Sequence, residues 1–381
     1  MKRNKNLDAL RAVAVLMVLG AHFEINWLWK RVGWLGVDLF FVLSGYLVSG
    51  LLFNEFKTYG KIRVANFFAR RGLKIYPAFY TLMLCTILWQ IFMVHELPLK
   101  NLAAELFFFQ NYVYGLLWHT WSLAVEEHFY LVLPISLLVM IKRGQAKRAE
   151  PFAVIPTLFV VVASLALIGR IIYFWVAPDS PQITRATHLR LDSLAFGVLL
   201  SYYSNFRKDD FNRLLNSRLL PIVSTICMVA CLILIVLDAT GAVVTIGLTL
   251  GYLGFGGLML IGLREKSDAG TTLIGKLVGI LAAIGFYSYS IYLWHMAMKD
   301  YGLRATRFVV KHLNISFISS VYSRIEWLVF VVGCVILGII MAKLVEVPAL
   351  KLRDRVFPSR SKVTPVTPYV AAETSRSVAS V

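Results

Sequence analysis

The sequence predicts an all-α fold: a polytopic integral membrane helical bundle with about ten transmembrane helices. Three observations carry that reading. Hydrophobic residues fill 58% of the 381 positions and charged residues only 16%, too apolar a balance for a soluble domain of this length. Runs of about 20 mostly apolar residues, the length that crosses a bilayer, recur along the whole chain. The charges between those runs are lopsided, with 39 Lys plus Arg against 21 Asp plus Glu and a formal net charge of +18. Such an excess also suits nucleic acid or an anionic membrane surface. Here, however, the basic residues sit in short clusters between apolar runs, and none alternates with aromatics over a polar surface as a nucleic-acid platform does. The excess therefore reads as an orientation signal with membrane lipid as partner and no nucleic acid.

The spans fall near 8–29, 33–53, 75–95, 118–141, 152–177, 188–204, 219–237, 242–263, 273–297 and 325–350. Lys2, Arg3 and Lys5 ahead of the first apolar run resemble a secretory signal peptide. Asp8 and Arg11 interrupt that run, which then continues to Trp27 and Trp29 like a retained span with an aromatic belt. The sixth span is short and opens on charges. No 34- or 40-residue repeat is present. With the N-terminus in the cytoplasm, the inner segments collect Lys57, Lys61, Arg63, Arg70, Arg71, Lys74, Lys142, Arg143, Lys147, Arg148, Arg207, Lys208, Arg213, Arg218, Arg264, Lys266 and Lys276. The positive-inside rule then predicts a multi-pass membrane protein with both termini cytoplasmic and an even number of spans. The connection 298–324 resists: Lys299, Arg304, Arg307 and Lys311 fall on the outer side, so it is either an amphipathic helix on that face or a sign of a miscounted span. Residues 1–357 read as one membrane domain, and 358–381, rich in Ser, Thr, Val and Pro, as a disordered cytoplasmic tail. Cys85, Cys227, Cys231 and Cys334 lie in apolar runs without CxxC or Cys/His spacing, which predicts neither a disulfide framework nor a metal site. Cys227 and Cys231 share a helix face and read as packing.

Ionisable groups inside a span are costly, so each should face a polar interior, a partner or an interface. Arg11 and His22, eleven residues apart in the first span, differ by about 1100° of helical rotation, within roughly 20° of three turns, and by roughly 16 Å along the axis. One face thus offers a cation near the cytoplasm and a proton acceptor deeper in. An isolated Arg could instead snorkel and an isolated His be satisfied in the bundle; the matched pair argues against that. In the second span Asp38 sits near the entry and Ser44-Gly45 near the middle, where small residues allow close helix approach. Asp38 reads equally as half of a structural salt bridge or as a group orienting His22. The stretch Phe67 to Pro77 alternates aromatics with Arg70, Arg71 and Lys74, either a surface anchor or a phosphate clamp using the planar Arg fork. In the fourth span Ser122, Glu126 and Tyr130 share one face, and the adjacent acids Glu126 and Glu127 predict that at least one lines a polar cavity. Arg190 and Asp192 head the sixth span, Ser288, Tyr292 and His295 share a face of the ninth, and Glu346-Val347-Pro348 closes the tenth. Together these groups describe a wet, charged chamber within the bundle.

In order and number, these segments make the chain resemble the membrane acyltransferase family 3 proteins, bacterial O-acyltransferases of surface polysaccharides and related glycosides. The resemblance is carried by Leu7-Asp8-Ala9-Leu10-Arg11 through His22, Gly36-Val37-Asp38-Leu39-Phe40-Phe41-Val42-Leu43-Ser44-Gly45-Tyr46, Arg70-Arg71, Trp121-Ser122-Leu123 with Glu126 and Phe129-Tyr130, Arg190-Leu191-Asp192 and Tyr289-Ser290-Ile291-Tyr292-Leu293-Trp294-His295. It runs from the first span to Pro348. It implies that Arg11 and His22 are essential and that the donor is acyl-CoA on the cytoplasmic side. Lys74 stands where the family often has a third Arg, keeping the charge and losing the fork geometry. Some relatives carry a soluble hydrolase-like domain after the last span; none follows in this sequence, which leaves the transfer to the bundle or to a separate periplasmic or polysaccharide-biosynthesis partner.

The expected activity is transfer of an acyl group, acetyl foremost, from acyl-CoA as co-substrate to a hydroxyl of a carbohydrate-containing acceptor, with no bound cofactor. His22 is the expected general base, since neutral imidazole has a suitable pKa, with Glu126 and Asp38 in the catalytic set. Arg11, Arg70, Arg71 and Lys74 would hold the donor. Ser44, Trp121, Ser122, Tyr130, Arg190, Asp192, Tyr292 and His295 would complete the chamber. Direct transfer and an acyl-His22 intermediate both remain open. The rival reading is a transporter, flippase or polymerase for a lipid-linked or exported sugar, because buried charges also mark transport paths. A sensor or scaffold ranks last.

Overall fold

Seven helices of the computed structural model are long and apolar enough to cross a membrane, or eight if one sharply bent pair counts as a single span. The structure describes residues 4–23, 27–144, 152–265, 272–304 and 319–358. Among these every regular element is helical. The expected count of about ten is therefore not reached by long apolar helices: the first and sixth expected spans are helices of 17 and 16 residues. The tail 359–381 and much of the basic connection, including Arg307 and Lys311, lie outside the described residues, as do Lys147, Arg148 and Lys266.

In chain order the principal helices are α1 (Lys5–Ala21), α2 (Trp27–Gly33), α3 (Gly36–Tyr59), α4 (Val64–Trp89), α5 (Leu99–Leu106), α6 (Trp121–Lys142), α7 (Ile155–Val176), α8 (Leu191–Phe206), α9 (Lys208–Asn216), α10 (Leu219–Val236), α11 (Leu248–Arg264), α12 (Leu273–Phe286), α13 (Ser288–Ala297), α14 (Ser319–Met341) and α15 (Val347–Val356). Asn4 caps α1 by accepting from the backbone N–H groups of Asn6 and Leu7. Gly60 ends α3 in the left-handed region at φ 65°, where its N–H reaches Phe56 O at 2.7 Å. Large apolar side chains such as Leu165 and Trp175 on α7, and Ile226 on α10, are exposed on the outside of the bundle. In water that would be an aggregation surface; in a bilayer it matches the solvent.

Two close approaches position the functional residues. Where α3 crosses α8, a Cβ on Gly45 would lie 2.1 Å from Leu194 O and one on Gly197 would lie 2.3 Å from Val42 O. Only glycine at both positions lets the backbones touch. Where α12 meets α1, a Cβ on Gly285 would lie 1.8 Å from Asp8 O. Immediately beyond that contact the chain turns by 65° into α13. The sequence predicts one continuous span over 273–297, and the bend replaces it. α13 is thereby laid along the face of α1 that carries Arg11 and His22.

Candidate active site

A cavity with about 150 Å³ of water-accessible space lies among α1, α3, α4, α6 and α13. Arg11, Ser44, Arg71, Lys74, Ser122, Glu126, Tyr130 and Tyr292 all line it. The i, i+4, i+8 spacing of Ser122, Glu126 and Tyr130 predicts one shared face of α6, and in the structure that face meets Arg11 of α1. Three cations face one carboxylate among hydroxyl-bearing and apolar side chains, so the cavity favours an anion. Ser44 Oγ and Tyr130 Oη are 2.5 Å apart, and the Arg71 guanidinium lies 3.8 Å from the centre of the Tyr130 ring. Glu127, next to Glu126, accepts instead from Tyr76 Oη at 3.0 Å.

A second cavity of about 190 Å³ adjoins the first and shares Val48, Leu51, Arg71 and Lys74 with it. It sits where α3 ends, α4 begins and α15 passes, and Arg70 and Arg353 add to its positive wall. Arg70 donates to Phe357 O and to Asp354 Oδ1, which ties α4 to α15. Arg353 is a residue that sequence reasoning missed. Its position after the last apolar run looks like ordinary positive-inside charge, and only the return of α15 against α4 brings it to the groove.

Beyond Tyr292 stand three imidazoles. The Tyr292 hydroxyl donates to His119 O at 2.5 Å and lies 2.6 Å from Ser122 Oγ, so this ring closes the cavity at the histidine end. His22 follows α1 as its C-cap, with Nδ1 2.9 Å from Val18 O and 3.1 Å from His295 Nε2. His295 Nδ1 lies 2.5 Å from Tyr292 O, and His119 Nε2 lies 3.2 Å from Leu293 O. A carbonyl only accepts, so these contacts place protons on His22 Nδ1, His295 Nδ1 and His119 Nε2. His22 Nε2 is then the bare nitrogen, which is what a proton acceptor requires. Trp118, exposed on its other side, meets the His22 ring edge-on at 4.8 Å. Among the described residues no group of three or more His, Cys, Asp or Glu is placed to hold a metal ion.

The loop that carries Trp118 and His119 is anchored from α5. Buried Glu105 accepts from Thr120 Oγ1 and from Leu117 N–H, the latter at 3.3 Å. Burial pushes its carboxyl up to about 7. Glu105 and His119 were not singled out from sequence: one acid in a short loop helix and one His at a span entry carry no periodic signal.

The structure separates the remaining expected residues from the cavity. Asp38 Oδ1 accepts from Arg190 Nη2 at 2.8 Å, with both side chains buried, and His22 takes other partners. Asp192 Oδ2 accepts from Arg170 Nη1 at 2.8 Å, and Arg170 also donates to Leu189 O and Thr249 Oγ1. These two pairs fasten α8 to α3 and to α7. Trp121 packs edge-on against Phe41 at 6.2 Å and lies 5.6 Å from the Arg190 guanidinium. Asp38, Trp121, Arg190 and Asp192 thus frame the chamber without lining it. The physical reason is pairing: a buried carboxylate beside a buried guanidinium is already neutralised. Arg170 was missed although an Arg amid Ile, Leu, Phe and Trp is itself a signal of a buried partner.

Comparison with known proteins gives the same direction. A family described as an acyltransferase domain matches residues 4–343. The O-acetyltransferase OatA of Staphylococcus aureus strain NCTC 8325 is 30% identical over 311 residues, covering 76% of this chain and 49% of the relative. The same protein from strain COL matches equally. SAS0844 of S. aureus strain MSSA476, provisionally named an O-acetyltransferase, is 28% identical over 327 residues, covering 79% of this chain and 51% of its own length. The chain spans about half the length of these curated relatives. No solved structure matches it.

Proposed function

This chain belongs to the membrane acyltransferase family 3, and from that membership we propose that it transfers an acetyl group from cytoplasmic acetyl-CoA to a hydroxyl of a carbohydrate-containing acceptor. The observation that carries the reading is the pair of adjoining cationic cavities leading inward from Arg70 and Arg353, past Arg71 and Lys74, to Arg11, and ending at Tyr292 beneath the histidines. CoA is a long polyanion with a thin neutral arm. Its phosphates suit the outer, Arg-rich groove, where planar guanidinium forks pair with phosphate oxygens. The pantetheine arm suits the inner chamber between α3, α6 and α13.

His22 acts as the general base. Its bare Nε2 takes the proton of the acceptor hydroxyl as the oxygen attacks the thioester carbonyl. The C–O bond forms, the C–S bond breaks, and the departing CoA thiolate takes the proton back from the imidazolium. Arg11, facing Glu126 in the chamber, holds the donor. Asp38 serves as a staple with Arg190 rather than as a partner of His22. On this proposal both termini lie in the cytoplasm of a bacterial inner membrane, a reading that the groove at Arg70 and Arg353 supports as an entrance for cytoplasmic CoA.

The test uses membranes of the native host that lack the chromosomal copy and carry the chain on a plasmid. Acetyl-labelled acetyl-CoA should deliver base-labile label to the glycan fraction. Label that stays on CoA in cells making the folded protein would overturn the reading and favour a transport role.

A further inference from the structure

We propose that His295 is the positioning residue of His22, a neutral imidazole that fixes the tautomer of the base and shares its charge; this rests on the reading of His22 as the base. His295 is completely buried. Its Nδ1–H is committed to Tyr292 O at 2.5 Å, so its Nε2 lone pair is left to accept. The group it faces is His22 Nδ1, 3.1 Å away. That N–H is shared between His295 Nε2 and Val18 O. Two acceptors on one nitrogen hold the His22 ring with the proton on Nδ1 and the lone pair on Nε2.

The consequence appears when His22 takes a proton. The imidazolium strengthens its Nδ1–H bond, and the His295 lone pair takes part of the positive charge. Base-orienting groups are commonly carboxylates. A carboxylate here would bring a second buried charge that needs its own partner, as Asp38 needs Arg190. A neutral acceptor avoids that desolvation cost. The geometry depends on the bend before α13, because successive carbonyls, Tyr292 O and Leu293 O, each fix one imidazole, His295 and His119. The rings of His119 and His295 meet edge-on at 4.9 Å, which holds the plane of His295 from behind. Lys299, in the turn after α13, is a cation close enough to act on both His22 and His295, and Trp118 closes the free edge of His22.

The test compares His295→Leu with His295→Gln in the native-host membranes, using labelled acetyl-CoA as the probe. Leucine removes the acceptor; glutamine returns an amide oxygen near the position of Nε2. Leucine should lower the saturating rate by about 10- to 100-fold, leave the KM for acetyl-CoA unchanged and move the rising limb of the pH–rate profile toward acid. Glutamine should recover most of the rate. Wild-type rate and profile in His295→Leu would overturn the inference, and so would equal losses in both variants with an unmoved profile. Should the leucine protein not accumulate, the glutamine protein decides alone: near-normal rate supports the role and collapse overturns it. His22→Ala in the same series keeps the failures apart, since full activity there removes the base itself.

Discussion

Replacing Asp38 by Ala separates a staple from a catalyst. Asp38 and Arg190 are each 1% exposed and joined at 2.8 Å, with Phe41 and Trp121 against the guanidinium. Removing the carboxylate leaves a buried cation without its partner, which costs about 3–5 kcal/mol. At about 1.4 kcal/mol per tenfold, the ratio of folded to unfolded protein falls by roughly 10² to 10⁴. The double change Asp38→Leu with Arg190→Met removes both charges and should restore most of that loss, since apolar replacements of a buried pair are often neutral or stabilising. The buried thiols of Cys231 and Cys334 provide the assay. With exposed Cys85 and half-buried Cys227 replaced by Ser, their reaction with a thiol dye in detergent reports unfolding on heating. Asp38→Ala should unfold at a clearly lower temperature, and the double variant should unfold near wild type and transfer acetyl. A double variant that is folded but inactive would refute the staple and return Asp38 to the chemistry.

Three further outcomes follow from the geometry. Arg11→Ala should weaken acetyl-CoA binding by about 10- to 100-fold, the loss of one charge-assisted contact, as read by CoA titration of purified protein; unchanged affinity would make Arg11 structural. Glu105 ties stability to pH. Its folded-state carboxyl titrates at about 7 instead of the ordinary 4.5, so the fold prefers the protonated form. That contribution is complete below pH 4.5 and lost as pH rises to 7, a slope amounting to about 3 kcal/mol that Glu105→Gln should flatten in thermal unfolding between those pH values. Trp118→Ala should raise the KM for the glycan acceptor while leaving that for acetyl-CoA unchanged, since Trp118 touches His22 from its exposed side and is absent from both cavities.

What the sequence makes legible follows from cost and period. A charge in an apolar run must have a purpose, and helical spacing says which charges share a face; Arg11 with His22, and Ser122 with Glu126 and Tyr130, are read that way. Hydropathy also gives the membrane bundle, but it cannot give lengths that depend on neighbours. α1 and α8 are shorter than a bilayer-spanning ruler requires, and each packs backbone to backbone on a neighbour, α1 on α12 and α8 on α3. The bend between α12 and α13 has no proline to announce it; it follows the Gly285 contact with Asp8 O, a pairing of residues distant in sequence. Partners are the least legible feature. Asp38 could equally serve His22 or a cation until Arg190 is seen beside it, and His295 appears as one more polar group until the bend sets it against His22.

Under the proposed function His22 accepts the acceptor's proton just beyond Tyr292, where the cationic cavities end. His22→Ala, purified, shown to bind CoA and returned to membranes with its glycans, tests it most directly through transfer of labelled acetyl. Normal CoA affinity with label left on CoA is the expected result, and transfer at the wild-type rate would contradict the role of His22 as base.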